Sequence, residues 1–524
     1  MAKYKPYSYA QGQFIPVFFN KQIQKGTFEY SLSYLVDNEL DLSIFDNRFN
    51  NDETGAPAYD PRILFKVVLF AYSRKITSSR AFARCCEENV LFMALSATCR
   101  PHFTTIAGFI SSMDQEIAHL FLEVLLVCDQ QKLIGKEMFA IDGCKLPSNA
   151  AKEWSGTKAD FEKKVQKMEQ ALRQMIAKQR VQDDSLVEPE VIEKEKKYLA
   201  KLQKQAAKVK KWLKDNEDRT GCGGKAIKSN ITDNESAKMM TSKGVIQGYV
   251  GVTSVDKKHQ VIVGVEAFGQ GQEHNLLIPM VEGIRRNFSE IGADVDVLTK
   301  AQVAADRGYH SEKNMEYIFK ENIDGYIADT RFRSRDRRFI AYDRFKDRKR
   351  RDVTPGKNRK KLFAPEDFIS AEDFSYCLCP AGKKLYRSGC NVKVKNLQAF
   401  KFKGPKKFCL PCKLRKECLR HPAWTECRQV AYFTGKNGQG KQCFTDKMKR
   451  NIDTAIGRAI YSMRLAVGEP PFAHIISVLR LDKYSLRGKR KVNNQWNLFC
   501  IVHNLKKIHS HGIGYMQRVD VVAG

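Results

Sequence analysis

Asp142 closes the apolar run Met138-Phe-Ala-Ile, and Asp306 closes Gln302-Val-Ala-Ala. Each reads as an acid at the end of a buried strand. Alone, either is most simply a turn former or a helix cap. A third acid, Glu469, lies on a predicted helix that runs Tyr461-Ser-Met-Arg464-Leu-Ala-Val-Gly-Glu469-Pro-Pro-Phe. Three carboxylates are what a two-metal site requires. Such a site holds two hard cations such as Mg²⁺ about 3.5–4 Å apart, where they activate a nucleophile and stabilise the leaving oxygen of a phosphodiester. Arg464 precedes Glu469 by between one and two helical turns, a place from which a guanidinium holds a scissile phosphate or steadies a carboxylate. Taken by itself, Glu469 reads as a solvated helix acid next to the irregularity of Pro470. His274, Asn275 and His310 lie near predicted element ends and read as capping or surface groups.

Eight of the fifteen cysteines fall between Cys377 and Cys443, a local cluster and not a disulfide framework. Cys409-x-x-Cys412 is a half-site for tetrahedral Zn²⁺, which Cys379 and Cys418 would complete. Cys377, Cys390, Cys427 and His421 are alternative ligands. Ordinary buried thiols and an iron–sulfur cluster stand beside structural zinc as readings of the same residues.

The chain of 524 residues carries 90 Lys or Arg against 59 Asp or Glu, a net charge of +31 and a pI near 9.5. Such a balance points to a polyanion, nucleic acid first, with a merely basic or ribosome-associated protein as the plain alternative. Between Arg331 and Lys361 fifteen basic residues face four acidic ones, with Phe332, Phe339, Tyr342 and Phe345 interleaved. This is a candidate phosphate-gripping loop, in which Arg348, Lys349, Arg350 and Arg351 form the densest stretch; a solvated face is its rival. An apolar fraction of 43% excludes a wholly disordered chain. No run approaches a membrane span and no apolar leader opens the sequence, so an exported or membrane protein is not expected, and a reducing cytoplasm fits the scattered cysteines best.

The elements that must position these groups can be read from caps and periodicity. Asp60-Pro61 starts a helix through Leu64, Val67, Val68 and Ala71. Ser78 or Ser79 starts a second, and Thr104 is expected to cap a third carrying Ile106, Phe109 and Ile110. With Arg74, Lys75, Arg80, Arg84 and Arg100 around them, these short helices suit either a helix-turn-helix reader or a plain bundle with a basic rim. Strands are expected at Met138–Asp142, Val245–Val255, Gln260–Phe268, Gln302–Asp306 and Tyr326–Ala328, with helices at Leu276–Phe288 and from Ser311. Together they make an α/β domain with a mixed sheet. A seam of Phe161, Val165, Met168, Leu172 and Met175 and another of Ile192, Leu199, Leu202, Ala206, Val209 and Leu213 flank Pro189. They suggest an antiparallel helical hairpin, or else an intermolecular coil. The expected division is a helical N-terminal region at 1–130; a core at 131–330 with the charged hairpin as an insertion at 155–219; a basic and Cys-rich insertion at 331–445; and C-terminal helices of the core at 446–524.

Ala140-Ile-Asp142-Gly, Ala305-Asp306-Arg-Gly-Tyr309 and Tyr461-x-x-Arg464-x-x-x-x-Glu469-Pro resemble the three acid motifs of bacterial insertion-sequence transposases of the DDE type, in particular the group around insertion sequence 1182. Asp60-Pro61-Arg62, Asp233-x-Glu-Ser-Ala-x-Met-Met, Gln247-Gly-Tyr249 and Trp496-x-Leu-x-Cys-x-x-His503-Asn504-Leu are similar to segments of the same group. The resemblance implies an RNase H-like fold interrupted by the two insertions, since 164 and 163 residues separate the three acids. It implies that Asp142, Asp306 and Glu469 hold two Mg²⁺, with Mn²⁺ as a substitute. Arg464 would neutralise phosphate charge, with Tyr461 in support. The implied partners are the element's terminal inverted repeats, target DNA and a second copy of the chain. Related transposases also carry a Cys-Pro-x-Gly and Cys-x-x-Cys-x₅-Cys segment, which favours zinc on Cys379, Cys409, Cys412 and Cys418. The sequence departs from the pattern at Gly468, where an aliphatic residue is usual, and at Ile476, where many relatives carry Lys; Arg480 lies one turn beyond.

Overall fold

A computed structural model describes residues 16–48, 57–182, 189–221, 224, 226–242, 244–336, 362–371, 373–388, 392–394, 397–435 and 443–512. The candidate phosphate contacts Arg348, Lys349, Arg350 and Arg351 lie outside the described residues, as do Phe339, Tyr342, Phe345 and Cys390. The chain divides into two units. One draws on Met1–Tyr309, Glu321–Tyr326 and Ala459–Gly524, the other on His310–Lys320 and Ile327–Arg458.

The first unit opens with helices α1 (Phe28–Asn38), α2 (Pro61–Ser73), α3 (Ser79–Glu88), α4 (Val90–Leu95), α5 (Phe103–Ser112) and α6 (Asp114–Gln130). The α2 start follows its sequence signal: the Asp60 carboxylate accepts from the Arg62 N–H, and Pro61 fills the first turn, where its missing donor costs nothing. The expected cap of α5 is corrected. His102, not Thr104, is the N-cap, and its Nδ1 accepts from the Thr104 N–H at 3.4 Å.

The sheet of this unit contains β1 (Met138–Pro147), β2 (Ala237–Thr241), β3 (Gly244–Asp256), β4 (Ile262–Phe268), β5 (Gln302–Ala305) and β6 (Asp324–Ile327). Strand β1 is antiparallel to β3 and parallel to β5; β3 carries β2 beside its first half and β4 beside its second, and β6 lies beyond β5. The long helix Lys489–His511 packs over β4 and covers its outer backbone edge, which another strand could otherwise pair with. Asn504 answers both groups of Ile262, accepting from its N–H at 2.9 Å and donating to its carbonyl at 2.8 Å. Asn493 accepts from the Ala267 N–H at 2.9 Å. The Trp496 indole donates to the Val252 carbonyl at 3.2 Å. The two asparagine amides satisfy backbone groups that a buried edge leaves orphaned.

Helices α7 (Lys158–Gln182) and α8 (Pro189–Asp215) pack against each other. The start of α7 meets the end of α8, where Phe161, Val165, Val209 and Trp212 share a core with Ile231. The pairing is antiparallel and lies within one chain. Trp212 is the buried residue of the last turn, edge-on to Phe161 at 4.6 Å, and Leu213, expected in the seam, is only partly buried. Pro189 is the first residue of α8 and not part of the link.

In the second unit, α9 (Glu312–Lys320) packs on α10 (Phe444–Asp453). The Glu312 carboxylate caps α10 from far away in sequence, accepting from the N–H groups of Phe444 at 2.8 Å and Thr445 at 3.1 Å. A second six-stranded antiparallel sheet, with strands from Ile369–Ser370 to Gln429–Gly435, encloses Phe368, Cys377, Leu385, Phe402 and Val430. No sequence pattern announces this sheet.

Candidate functional site

Strand β1 changes character at Asp142. Met138 to Ile141 are wholly buried, because this central strand is covered on both faces, while the Asp142 side chain retains 18% exposure. The strand does not end there, as the sequence suggested. Asp142 is its fifth residue, paired to Thr253 of β3, and the ladder continues to Pro147. Asp306 follows the last residue of β5 directly, and the parallel pairing of Ile141 with Ala305 brings the two acids to neighbouring places.

Helix Ala455–Ala473 supplies the rest, and its segment from Ala459 belongs to this unit. Gly468 faces β1: a Cβ there would stand 3.6 Å from the Cβ atoms of both Ala140 and Asp142, an ordinary packing contact. Four residues earlier on the same face, Arg464 is almost fully buried. Its Nη1 donates to Asp142 Oδ2 at 2.8 Å, and its Nη2 lies 3.3 Å from Asp306 Oδ1. The second oxygen of Asp142 accepts from the Gly143 N–H at 2.8 Å. Tyr461 lies one turn before Arg464, with its ring 5.6 Å from the guanidinium. Glu469 sits at the exposed margin of the site, close enough that its charge acts on Asp142.

Burial pushes the Asp142 carboxyl above its ordinary range, and Asp306 and Glu469 push the same way, against Arg464 and the Gly143 N–H. One further acid, missed in the sequence, belongs to this group. Glu273, half-buried against Gly308, is raised by burial and by Asp142 and Asp306, with Lys145 and Arg464 opposing. Its signal was a carboxylate one residue before His274, at the start of the helix after β4. His274 and Asn275 themselves are exposed, and His310 falls in the second unit.

The donors at this site are all carboxylate oxygens, the ligand type that Mg²⁺ prefers. Their spacing here is set by the guanidinium between two of them. Among the described residues no three His, Cys, Asp or Glu stand in metal-holding geometry.

In the second unit Cys379, Cys409, Cys412 and Cys418 line one small cavity of about 40 Å³, together with Leu385, Gly404, Arg415 and Arg428. Gly404 makes room, since a Cβ there would stand 2.7 Å from the Cys409 sulfur. Burial raises the thiols of Cys409 and Cys418, and the neighbouring thiols add to it. Arg415 fixes the adjoining loop by donating to the carbonyls of Cys409, Pro422, Thr425 and Glu426. Of the alternative ligands, Cys377 lies elsewhere, in the sheet core beside the Tyr432 hydroxyl at 3.5 Å.

Two family models match the chain. Residues 17–112 match a family described as transposase domain (DUF772), and residues 378–509 match one described as transposase DDE domain. The matches support a DDE transposase of an insertion sequence. The second spans the four cysteines, Tyr461, Arg464 and Glu469; Asp142 and Asp306 lie outside both. No curated protein matches the chain. Among the described residues no helix is long and apolar enough to cross a membrane.

Proposed function

We propose that this chain is an insertion-sequence transposase of the insertion sequence 1182 type, which cleaves DNA at its element's ends and joins them to target DNA. The observation that carries this reading is Arg464, which draws Asp142 and Asp306 together although 322 residues separate it from the first. An RNase H-like core is supported by the strand order β4-β3-β1-β5-β6, with β1 antiparallel to β3 and parallel to β5.

Asp142, Asp306 and Glu469 would hold two Mg²⁺, or Mn²⁺ in their place. Bound there, the ions would supply nucleophile activation and charge neutralisation for in-line phosphoryl displacement. To admit a cation, Arg464 must release its carboxylates, and a phosphate oxygen is the acceptor that satisfies its freed donors. Tyr461 then holds the guanidinium's position along the helix. The same residues serve both steps: attack by water at the element end, and attack by the freed 3′-hydroxyl on target DNA. Holding two ends together calls for a homodimer. Cys379, Cys409, Cys412 and Cys418 would bind one structural Zn²⁺, a use supported by all four lining one small cavity, although they would have to draw closer together to hold it. Residues 60–113 would read the element ends, and the Arg331–Lys361 run would grip phosphates. The protein would act in the bacterial cytoplasm, on the nucleoid.

A catalytically silent, transposase-derived DNA-binding protein is the second reading, and the same arginine is compatible with it, because the bridge holds two of the acids on a guanidinium without a metal. Incubating the protein with element-end DNA, a target plasmid and Mg²⁺ tests both. Joined products support the transposase. Cleaved ends without joining mark a nuclease, and bound but intact DNA marks the silent protein.

A further inference from the structure

The Cys-rich part of the second unit carries a basic and aromatic surface that extends beyond its cysteine cavity. Between Tyr376 and Arg428 fourteen basic residues face two acidic ones. Large apolar side chains are also left in water there: Tyr386, Phe408, Leu410 and Trp424 are all exposed. A solvated basic face has no use for exposed rings, and an ordinary apolar interface disfavours so many ammonium groups.

The two features meet in one cleft of about 320 Å³ that adjoins the cysteine cavity and shares Lys383, Phe408 and Cys412 with it. Lys383, Lys407 and Lys413 line it together with Phe408 and Pro411, and no carboxylate is among its lining residues. Phe408 is 37% exposed, and the ammonium groups of Lys383 and Lys407 lie 5.6 and 5.1 Å from its ring centroid. Exposed cation–π contacts of this kind are weak, so a phosphate can draw the ammonium groups away and leave the ring face open.

We propose that this cleft binds an unpaired DNA strand, with one base stacked on Phe408 and the flanking phosphates held by Lys383, Lys407 and Lys413. An aromatic face between cations is the chemistry with which proteins hold single strands, since every base offers a π-face but only an unstacked base can present it. Duplex DNA satisfies the lysines and leaves the ring unused. The inference rests on the transposase reading for its biological setting, because cleavage and joining expose unpaired strand ends, but the binding itself does not depend on catalysis.

The test is fluorescence anisotropy on the full chain, with a short fluorescein-labelled DNA strand and the blunt duplex of the same sequence. Phe408→Ala is expected to weaken single-strand binding about 10-fold or more and to change duplex binding less than about 2-fold, with recovery in Phe408→Tyr. Neutralising Lys383, Lys407 and Lys413 to Gln should make the single-strand salt dependence shallower, by about 0.7 in log–log slope for each phosphate that is no longer neutralised. These lysine variants keep the test decisive should Phe408→Ala misfold, which circular dichroism detects. Unchanged single-strand affinity overturns the proposal. Equal losses on strand and duplex, or binding to phosphatidylserine vesicles as the only property that Phe408→Ala removes, overturn it too. End cleavage by the same Phe408→Ala protein keeps the two readings apart. Cleavage with unchanged strand binding sinks this inference alone, whereas strand binding lost in Phe408→Ala, from a wild-type protein that cleaves nothing, sinks only the transposase reading.

Discussion

Arg464 Nη1 donates to Asp142 Oδ2 at 2.8 Å while Nη2 of the same guanidinium reaches Asp306 Oδ1 at 3.3 Å. One planar fork thus ties a helix to two strands of the sheet. Arginine suits this position because its donors are fixed in direction, whereas a lysine presents a single point of charge.

Breaking that tie has separable consequences. Arg464→Ala leaves the largely buried Asp142 without its cation, and breaking a mostly buried pair costs about 2–4 kcal/mol after allowance for the remaining exposure. Chemical denaturation should show that loss. Asp142→Asn in the same protein should recover part of it, because the uncompensated charge is gone. A double variant whose loss equals the sum of the single losses would mean that the two side chains do not interact.

Zinc content tests the cysteine cavity. Protein purified without chelator should carry about one zinc per chain, and Cys412→Ser should lose most of it, since a hydroxyl is a poor substitute for a thiolate ligand. Full retention of zinc in that variant would remove Cys412 from the ligand set. Cys377→Ser, whose thiol lies in the sheet core, should keep its metal.

Acid should destabilise the first unit through a histidine pair. His503 donates from Nε2 to the Gln260 carbonyl at 2.9 Å, so its Nδ1 is the acceptor for His474 Nδ1 at 3.0 Å. Burial holds both rings neutral, lowering His474 to about 4 and His503 to about 3. The unfolded chain takes up these protons near pH 6.5 and the folded chain does not. Stability is therefore full above that pH and falls as pH drops toward 4, by on the order of 2 kcal/mol at pH 5 for His503. Thermal melts from pH 7 to 5 should show the decline, and His503→Gln should flatten it. A melt independent of pH in this range would contradict the neutral pair.

Neutralising Arg348, Lys349, Arg350 and Arg351 should weaken binding to element-end and unrelated DNA alike. Phosphate contacts carry little sequence information, and each one removed makes the salt slope shallower by about 0.9. An unchanged slope would reduce the run to a solvated face. A loss confined to element ends would mean that this segment reads sequence.

Much of the sheet was legible because its strands are short apolar runs bounded by turn residues, and the start of α2 because Asp60-Pro61 is a strong local signal. Asp142 was misplaced at a strand end because an acid after four apolar residues looks like a boundary. Pairing to β3 carries the strand five residues further, and no local pattern announces that partner. His102 displaced Thr104 as a cap because an imidazole acceptor is rare in that role. Trp212 was passed over because a heptad count weights aliphatic residues. Glu273 was passed over because its only local signal is a carboxylate beside His274, and its place among the acids is set by packing against Gly308, which is distant in sequence. The second sheet escaped because its strands are short and dense in lysine, a texture that reads as loop.

The most direct measurement is Mg²⁺-dependent cleavage of labelled element-end DNA by the wild type, by Asp142→Asn, by Asp306→Asn and by the double variant, at concentrations where all bind DNA. If the acids hold one metal site, each single substitution lowers the rate by at least about 10³-fold and the double variant is no worse than either, because a site that acts as a unit is lost once. Cleavage surviving in either single variant, or losses that multiply in the double, would contradict a shared site.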